Sequence, residues 1–142
     1  MKAMYTAHAT STGAGRAGHV KTDDGKLDLG LSMPTSMGGD GKGTNPEQLF
    51  AAGYSACFHS AMKFIAGQKK LDTTDSTVAA DVAIGQRDDA PGFKLAVTLS
   101  VALPKLDQAA AEELVEAAHQ VCPYSHATRG NIDVDLKVTG AA

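Results

Sequence analysis

At 142 residues and 43% hydrophobic content, the chain is the size of one domain with a real core. Aromatics make up 5% and Trp is absent, so that core must be rich in Ala, Val, Leu and Met, and small residues let helices approach closely. A net charge of −3 without a Lys/Arg run argues against nucleic acid as a partner. The opening Met1-Lys2-Ala3-Met4-Tyr5-Thr6 has no continuous apolar run of the signal-peptide kind, and the longest apolar runs fall short of a membrane span. The expectation is a soluble cytoplasmic protein with no membrane partner.

The first 33 residues read as β-structure. Leu27, Leu29, Leu31 and Met33 alternate with polar or small residues, the period of a half-buried strand. Asp23-Asp24-Gly25-Lys26 ahead of them is a hairpin turn. Residues 16–22 are the expected partner strand, and 3–11 are a further candidate. Residues 34–44 form a Gly-rich loop. It reads as a flexible connection, because no Lys-Ser/Thr pair follows that would make it a phosphate cradle.

A helix starts next. Asn45 can cap it, Pro46 suits its first turn and Gln48 holds the capping-box position. It is expected to run to Ala66, ended by Gly67. Being apolar around most of its circumference, it should be buried. Val78, Ala80, Val82 and Ile84 alternate, as do Phe93, Leu95, Val97, Leu99, Val101 and Leu103, with Asp88-Asp89-Ala90-Pro91-Gly92 as the turn between two strands. A second helix runs from near Asp107 to about Val121, where Pro123 stops or kinks it. A last strand carries Ile132, Val134, Leu136 and Val138. This order excludes a regular alternating βαβ fold and indicates α+β in a single domain spanning 1–142.

The two cysteines, Cys57 and Cys122, concentrate the chemistry. Without an export signal they read as thiols in a reducing compartment rather than a structural staple. A thiol in an apolar helix has a raised pKa and is inert unless a cation or a helix N-terminus holds its thiolate. Arg suits that task, because it stays charged when poorly solvated and binds two partners at once. Arg16, in Gly13-Ala14-Gly15-Arg16-Ala17-Gly18, is either that cation or a solvated arginine at a strand edge, and Arg129 is a second candidate. Glu47 either favours the first helical turn through the dipole or orients the arginine as a carboxylate fork. Along a straight helix Glu47 and Cys57 stand roughly 15 Å apart. One arginine tip cannot reach both unless the helix start bends, whereas two antiparallel copies of the helix would bring Glu47 of one chain near Cys57 of the other. This motivates a two-fold dimer with sites at its interface.

Two other chemistries fit less well. His119, Cys122 and His126, or Cys57 with His59, offer a partial metal pattern, but the pairs straddle Pro123 and no CxxC is present. No Gly-x-Ser-x-Gly elbow supports a hydrolase. A non-catalytic module holding a lipid-like ligand in an apolar helical interface also remains open.

Three segments together resemble the organic hydroperoxide resistance branch of the Ohr/OsmC family. They are Gly15-Arg16 with Asp24-Gly25 and Leu27, then Gly43 through Phe58 around Cys57, then Val121-Cys122-Pro123-Tyr124-Ser125 with Ala127-Thr128-Arg129-Gly130-Asn131. Tyr54-Ser55 and the residues after Cys122 favour this branch over the OsmC branch, whose peroxidases use broader substrates and reductants. One departure is Ala14-Gly15, where the family is associated with Gly-Gly. The resemblance implies an intertwined homodimer with long central helices wrapped by antiparallel β-sheets. It implies that Cys57 is the peroxidatic thiol, Cys122 the resolving thiol, and Arg16 and Glu47 the active-site ion pair. The activity implied is reduction of organic hydroperoxides through a Cys57 sulfenic acid and a Cys57–Cys122 disulfide, with no bound cofactor and a lipoyl-type dithiol as external reductant. The apolar helix predicts an apolar pocket, suited to alkyl or fatty-acid hydroperoxides over H2O2.

Overall fold

The computed structural model describes residues 1–142. The chain divides into two compact units, Met1–Leu49 and Phe50–Ala142.

In the first unit, strands β1 (Ala9–Thr12), β2 (His19–Thr22) and β3 (Asp28–Gly30) pair antiparallel in that order. The Asp-Gly turn lies where its chemistry predicts. The Thr22 N–H donates to the Leu27 carbonyl at 2.8 Å, and Asp24 accepts from the Lys26 N–H. Two expectations change. The first strand begins at Ala9, and Arg16 lies in a 3-10 turn, Gly15–Ala17, with the strand starting only at His19. Gly18 makes that turn possible, since a Cβ there would sit 2.1 Å from the Thr12 carbonyl oxygen. The Gly-rich loop is not a loose connection. Its amides at Met37, Gly39 and Gly41 bond carbonyls at Pro34, Pro34 and Met33, and Gly43 N–H donates to Ser32 Oγ at 2.6 Å. Thr44 then bridges to Leu31, delivering the chain to the long helix.

Helix α1 (Pro46–Lys69) spans 24 residues and crosses the boundary between the units. Asn45 Oδ1 caps it by accepting the Gln48 N–H at 2.9 Å. Gln48 does not complete the capping box; its Oε1 accepts from the Thr44 hydroxyl. The helix passes through Gly67 instead of ending there. Lys70 takes the left-handed conformation at φ +56°, and the Leu71 N–H reaches back to the Ala66 carbonyl at 2.9 Å. The extra turn is tied down by an ion pair from Lys69 to Glu113 of the next helix.

The second unit holds the core. Strands β4 (Thr77–Gln86) and β5 (Phe93–Ala102) form an antiparallel hairpin, and β6 (Val134–Thr139) joins β5 in parallel. Parallel pairing needs a crossover of a dozen or so residues. Helices α2 (Gln108–Val121) and α3 (Pro123–Thr128) supply it. Asp107 caps α2 by accepting the Ala110 N–H at 2.9 Å. Pro123 does end α2, as expected, but it also opens α3, a six-residue helix the sequence reading did not contain.

Register explains the packing. Val78, Val101 and Val138 stand in one row across the sheet, Ala80, Leu99 and Leu136 in the next, and Val82, Val97 and Val134 in the third. That face meets Tyr54, Phe58, Met62 and Ala66 of α1 and Ala111, Leu114, Val115, Ala118 and Cys122 of the crossover in one cluster. Burying each large side chain contributes about 1.5–3 kcal/mol. Helix α1 is buried along this stripe only. Ala52, Ala56, Ser60 and Phe64 on another side are exposed, Phe64 at 63%. The architecture is α+β, as the element order required.

Candidate active site

Two pairs of candidate side chains come together, one in each unit. In the first, Arg16 Nη1 and Nη2 donate to Glu47 Oε2 and Oε1 at 2.8 and 2.7 Å, a two-pronged fork. Glu47 owes its position to the Asn45-Pro46 helix start, which puts it in the first turn of α1. The tight 3-10 turn presents Arg16. Ala14, the departure from Gly-Gly, has φ −90°, which any L-residue adopts, so its methyl does not disturb the turn. Arg16 holds the Glu47 carboxyl below the usual carboxylate range, against the opposing effect of burial. Glu47 in turn holds the guanidinium charged. The Glu47 side chain is 12% exposed and that of Arg16 40%, so the fork is covered on its acidic side and open on its basic side.

In the second unit, Cys57 on α1 and Cys122 at the α2–α3 junction are both free thiols, with their Sγ atoms 3.7 Å apart. They are 65 positions apart in sequence. Packing of α1 against the crossover makes them neighbours. Cys122 is fully buried and Cys57 half-buried. Burial pushes the Cys57 thiol above its ordinary pKa, the Tyr124 backbone N–H pulls it down, and the adjacent Cys122 thiol raises it again. No cation is among these influences. At 3.7 Å the sulfurs are adjacent but not bonded, since a disulfide closes at about 2.05 Å.

Tyr124 follows Cys122 closely and is held by tilted aromatic contacts. Its ring lies 5.7 Å from Tyr54 and 6.0 Å from Phe50, centroid to centroid. Gly53 makes room for it, because a Cβ there would stand 2.9 Å from Tyr124 Oη. A cavity of about 790 Å³ opens beside this cluster. Phe50, Phe93, Leu95, Tyr124 and Ile132 give it apolar walls, and Lys94 and the Arg87–Asp89 ion pair add charge. Neither cysteine lines it.

The remaining candidates have other engagements. Arg129 donates to Gln120 Oε1 at 2.7 Å. His59 Nε2 bonds the Ser76 hydroxyl at 3.0 Å, and burial lowers its pKa, with Lys63 adding to the effect. His119, Cys122 and His126 do not converge as metal ligands. Sequence reasoning used Tyr54, Ser125 and Thr128 only within the resemblance and gave them no role in a site, yet their hydroxyls bond one another in the core. The available signal was Tyr54 itself, because a phenol inside an apolar helix must find a polar partner.

The model of the OsmC-like protein family matches residues 39–137. The chain therefore belongs to the OsmC-like family, in its organic hydroperoxide resistance branch. Within that branch, the organic hydroperoxide resistance protein of Xanthomonas axonopodis pv. citri is 54% identical over 136 residues, covering 95% of this chain and 94% of its own. The crystal structure of an organic hydroperoxide resistance protein from Legionella pneumophila superposes with a TM-score of 0.92 at 49% identity, over 97% of this chain and 99% of that one. That of OhrB from Bacillus subtilis gives 0.88 at 47%, over 96% and 100%.

Proposed function

We propose that this protein is a thiol peroxidase that reduces organic hydroperoxides to alcohols. The observation that carries this reading is the 3.7 Å approach of the Cys57 and Cys122 sulfurs, both free. The names of its relatives, organic hydroperoxide resistance proteins, supply the substrate class.

The Cys57 thiolate attacks the terminal oxygen of R–O–O–H, the O–O bond breaks, and the alkoxide leaves as alcohol after taking a proton. Cys57 is left as a sulfenic acid. The Cys122 sulfur then attacks the Cys57 sulfur, the S–O bond breaks, and hydroxide leaves as water with the Cys122 proton. A dithiol of the lipoyl type reduces the resulting disulfide by exchange. Burial raises the Cys57 pKa, so the first step needs a cation for the thiolate and for the developing alkoxide oxygen. Arg16, oriented by Glu47, is that group in this proposal.

The active form is a homodimer. The exposed side of α1 carries Ala52, Ala56, Ser60 and Phe64, small residues that let a second helix approach and one large apolar residue left to cover. An antiparallel copy of α1 on that side would bring Glu47 of one chain toward Cys57 of the other.

Consumption of cumene hydroperoxide with dihydrolipoamide as reductant tests the reading. Wild type should turn over, Cys57→Ser should be inactive, and Cys122→Ser should reduce one peroxide per site and then stall. Turnover of H2O2 as fast as that of cumene hydroperoxide would refute the substrate class. Normal cycling of the Cys122 variant would refute the resolving role.

A further inference from the structure

A chain of four polar side chains, three of them buried and His119 half-buried, lies on the helices that carry the two cysteines. His119 Nδ1 is 2.8 Å from Ser125 Oγ, Ser125 Oγ is 3.0 Å from Tyr54 Oη, and Tyr54 Oη is 3.0 Å from Thr128 Oγ1. The Thr128 hydroxyl donates to the Tyr124 carbonyl at 3.0 Å. Each hydroxyl has one proton, so that last bond sets the sense of the rest. Thr128 accepts from Tyr54, Tyr54 from Ser125, and Ser125 from the Nδ1–H of His119. Burial keeps His119 neutral, with Arg129 adding to the effect and Glu116 opposing it, which suits a ring that donates here at Nδ1.

The placement of these residues follows the thiols. Tyr54 stands three residues before Cys57 on α1, so the two share a helical face. His119 is three residues before Cys122 and Ser125 three after it, on either side of the α2–α3 junction. The chain thus ties together the three helices that carry the reacting sulfurs. Tyr54 and Ser125 are fully buried, and no buried side-chain polar atom lacks a partner. A fully satisfied network of this kind is rigid. A core of this size does not need it for burial alone, since Phe and Ala would fill the same space without polar atoms.

We propose that the His119–Ser125–Tyr54–Thr128 chain positions the resolving thiol, holding the start of α3 against α1 so that Cys122 captures the Cys57 sulfenic acid before a second peroxide can. This deepens the peroxidase reading and rests on it. In the step concerned, the Cys122–Cys57 S–S bond forms, the Cys57 S–O bond breaks, and the hydroxide leaves as water with the Cys122 proton. The four side chains make no hydrogen bond to either sulfur and act through the placement of Cys122.

The test uses reduced protein mixed with one equivalent of cumene hydroperoxide, quenched in time with an alkylating reagent and read by mass spectrometry. Tyr54→Phe and Ser125→Ala should oxidise Cys57 at the wild-type rate yet close the disulfide about tenfold more slowly, the factor that the loss of one buried hydrogen bond carries. Under excess peroxide they should accumulate sulfinic acid on Cys57. His119→Asn, which can return a side-chain donor near the Nδ1 position, should stay closer to wild type than His119→Leu. Should Tyr54→Phe not fold, Ser125→Ala, which loses one small hydroxyl, carries the same test. Wild-type closure and wild-type sulfinic yield in the folded variants overturn the proposal. So does equal slowing of both steps, which marks a merely structural network. If wild type itself forms no disulfide, the peroxidase reading fails instead, and this inference falls with it.

Discussion

Arg16 and Glu47 make opposite demands on solvent. The arginine is open enough to meet a ligand, whereas the carboxylate is covered and commits both its oxygens to the guanidinium. Because Glu47 titrates lower in the fold than in an unfolded chain, its contribution is fully present above the ordinary Glu pKa. It is lost as the pH falls through the depressed folded value. Glu47→Gln should therefore cost about 1 kcal/mol at neutral pH, the scale of a half-exposed pair, and the gap should shrink below about pH 4. Urea unfolding of both proteins at a series of pH values measures it. The Cys57 thiol moves the other way, since burial and the Cys122 thiol both raise it. Removing one cause, Cys122→Ala, should shift the pH profile of Cys57 alkylation to lower pH; an unchanged or upward-shifted profile counts against that coupling.

At the scale of elements, helix ends carry clear costs. Asn45 sits at the start of the helix that carries Glu47 and Cys57, so Asn45→Ala should lower stability by about 1 kcal/mol, with Asn45→Asp close to wild type. Lys70 ends that helix with φ +56°, a conformation Gly adopts without strain. Lys70→Gly should raise the melting temperature, with a gain of up to about 1 kcal/mol. These ends show what local sequence can say. Asn45-Pro46 and Asp107 announce helix starts through contacts within one turn, and both starts were legible. The end was not, because Gly67 is compatible with either stopping or continuing. Ala66 in the core and the Lys69–Glu113 pair extend the helix, and both depend on residues far along the chain. Helix α3 escaped for a related reason, since six residues show no period and Pro123 serves as both stop and start.

At the scale of the whole molecule, the exposed side of α1 calls for a second copy in the proposed function. Light scattering should give a dimer at micromolar concentration. Placing a charge at the exposed apolar position, Phe64→Lys, should shift it toward monomer while leaving the fold of each chain intact by circular dichroism, because Phe64 lies outside the buried stripe. A wild-type monomer under those conditions would sink the dimer.

The sequence alone determined the two long helices and where they begin, the order of the strands along the chain, and the family through three motifs. Those signals act within a turn or two of backbone, or are carried by residue types at short spacing. It also named Cys57, Cys122, Arg16 and Glu47, although the residues by themselves left inert thiols and a solvated arginine as open readings. Tertiary structure decided the distances. Two sulfurs meet at 3.7 Å because α1 and the crossover lie on the same apolar rows of β4, β5 and β6. Arg16 and Glu47 form a fork because a 3-10 turn replaces an expected strand. The buried hydroxyl chain follows from the same packing, which joins residues too far apart in sequence for any local pattern to register them.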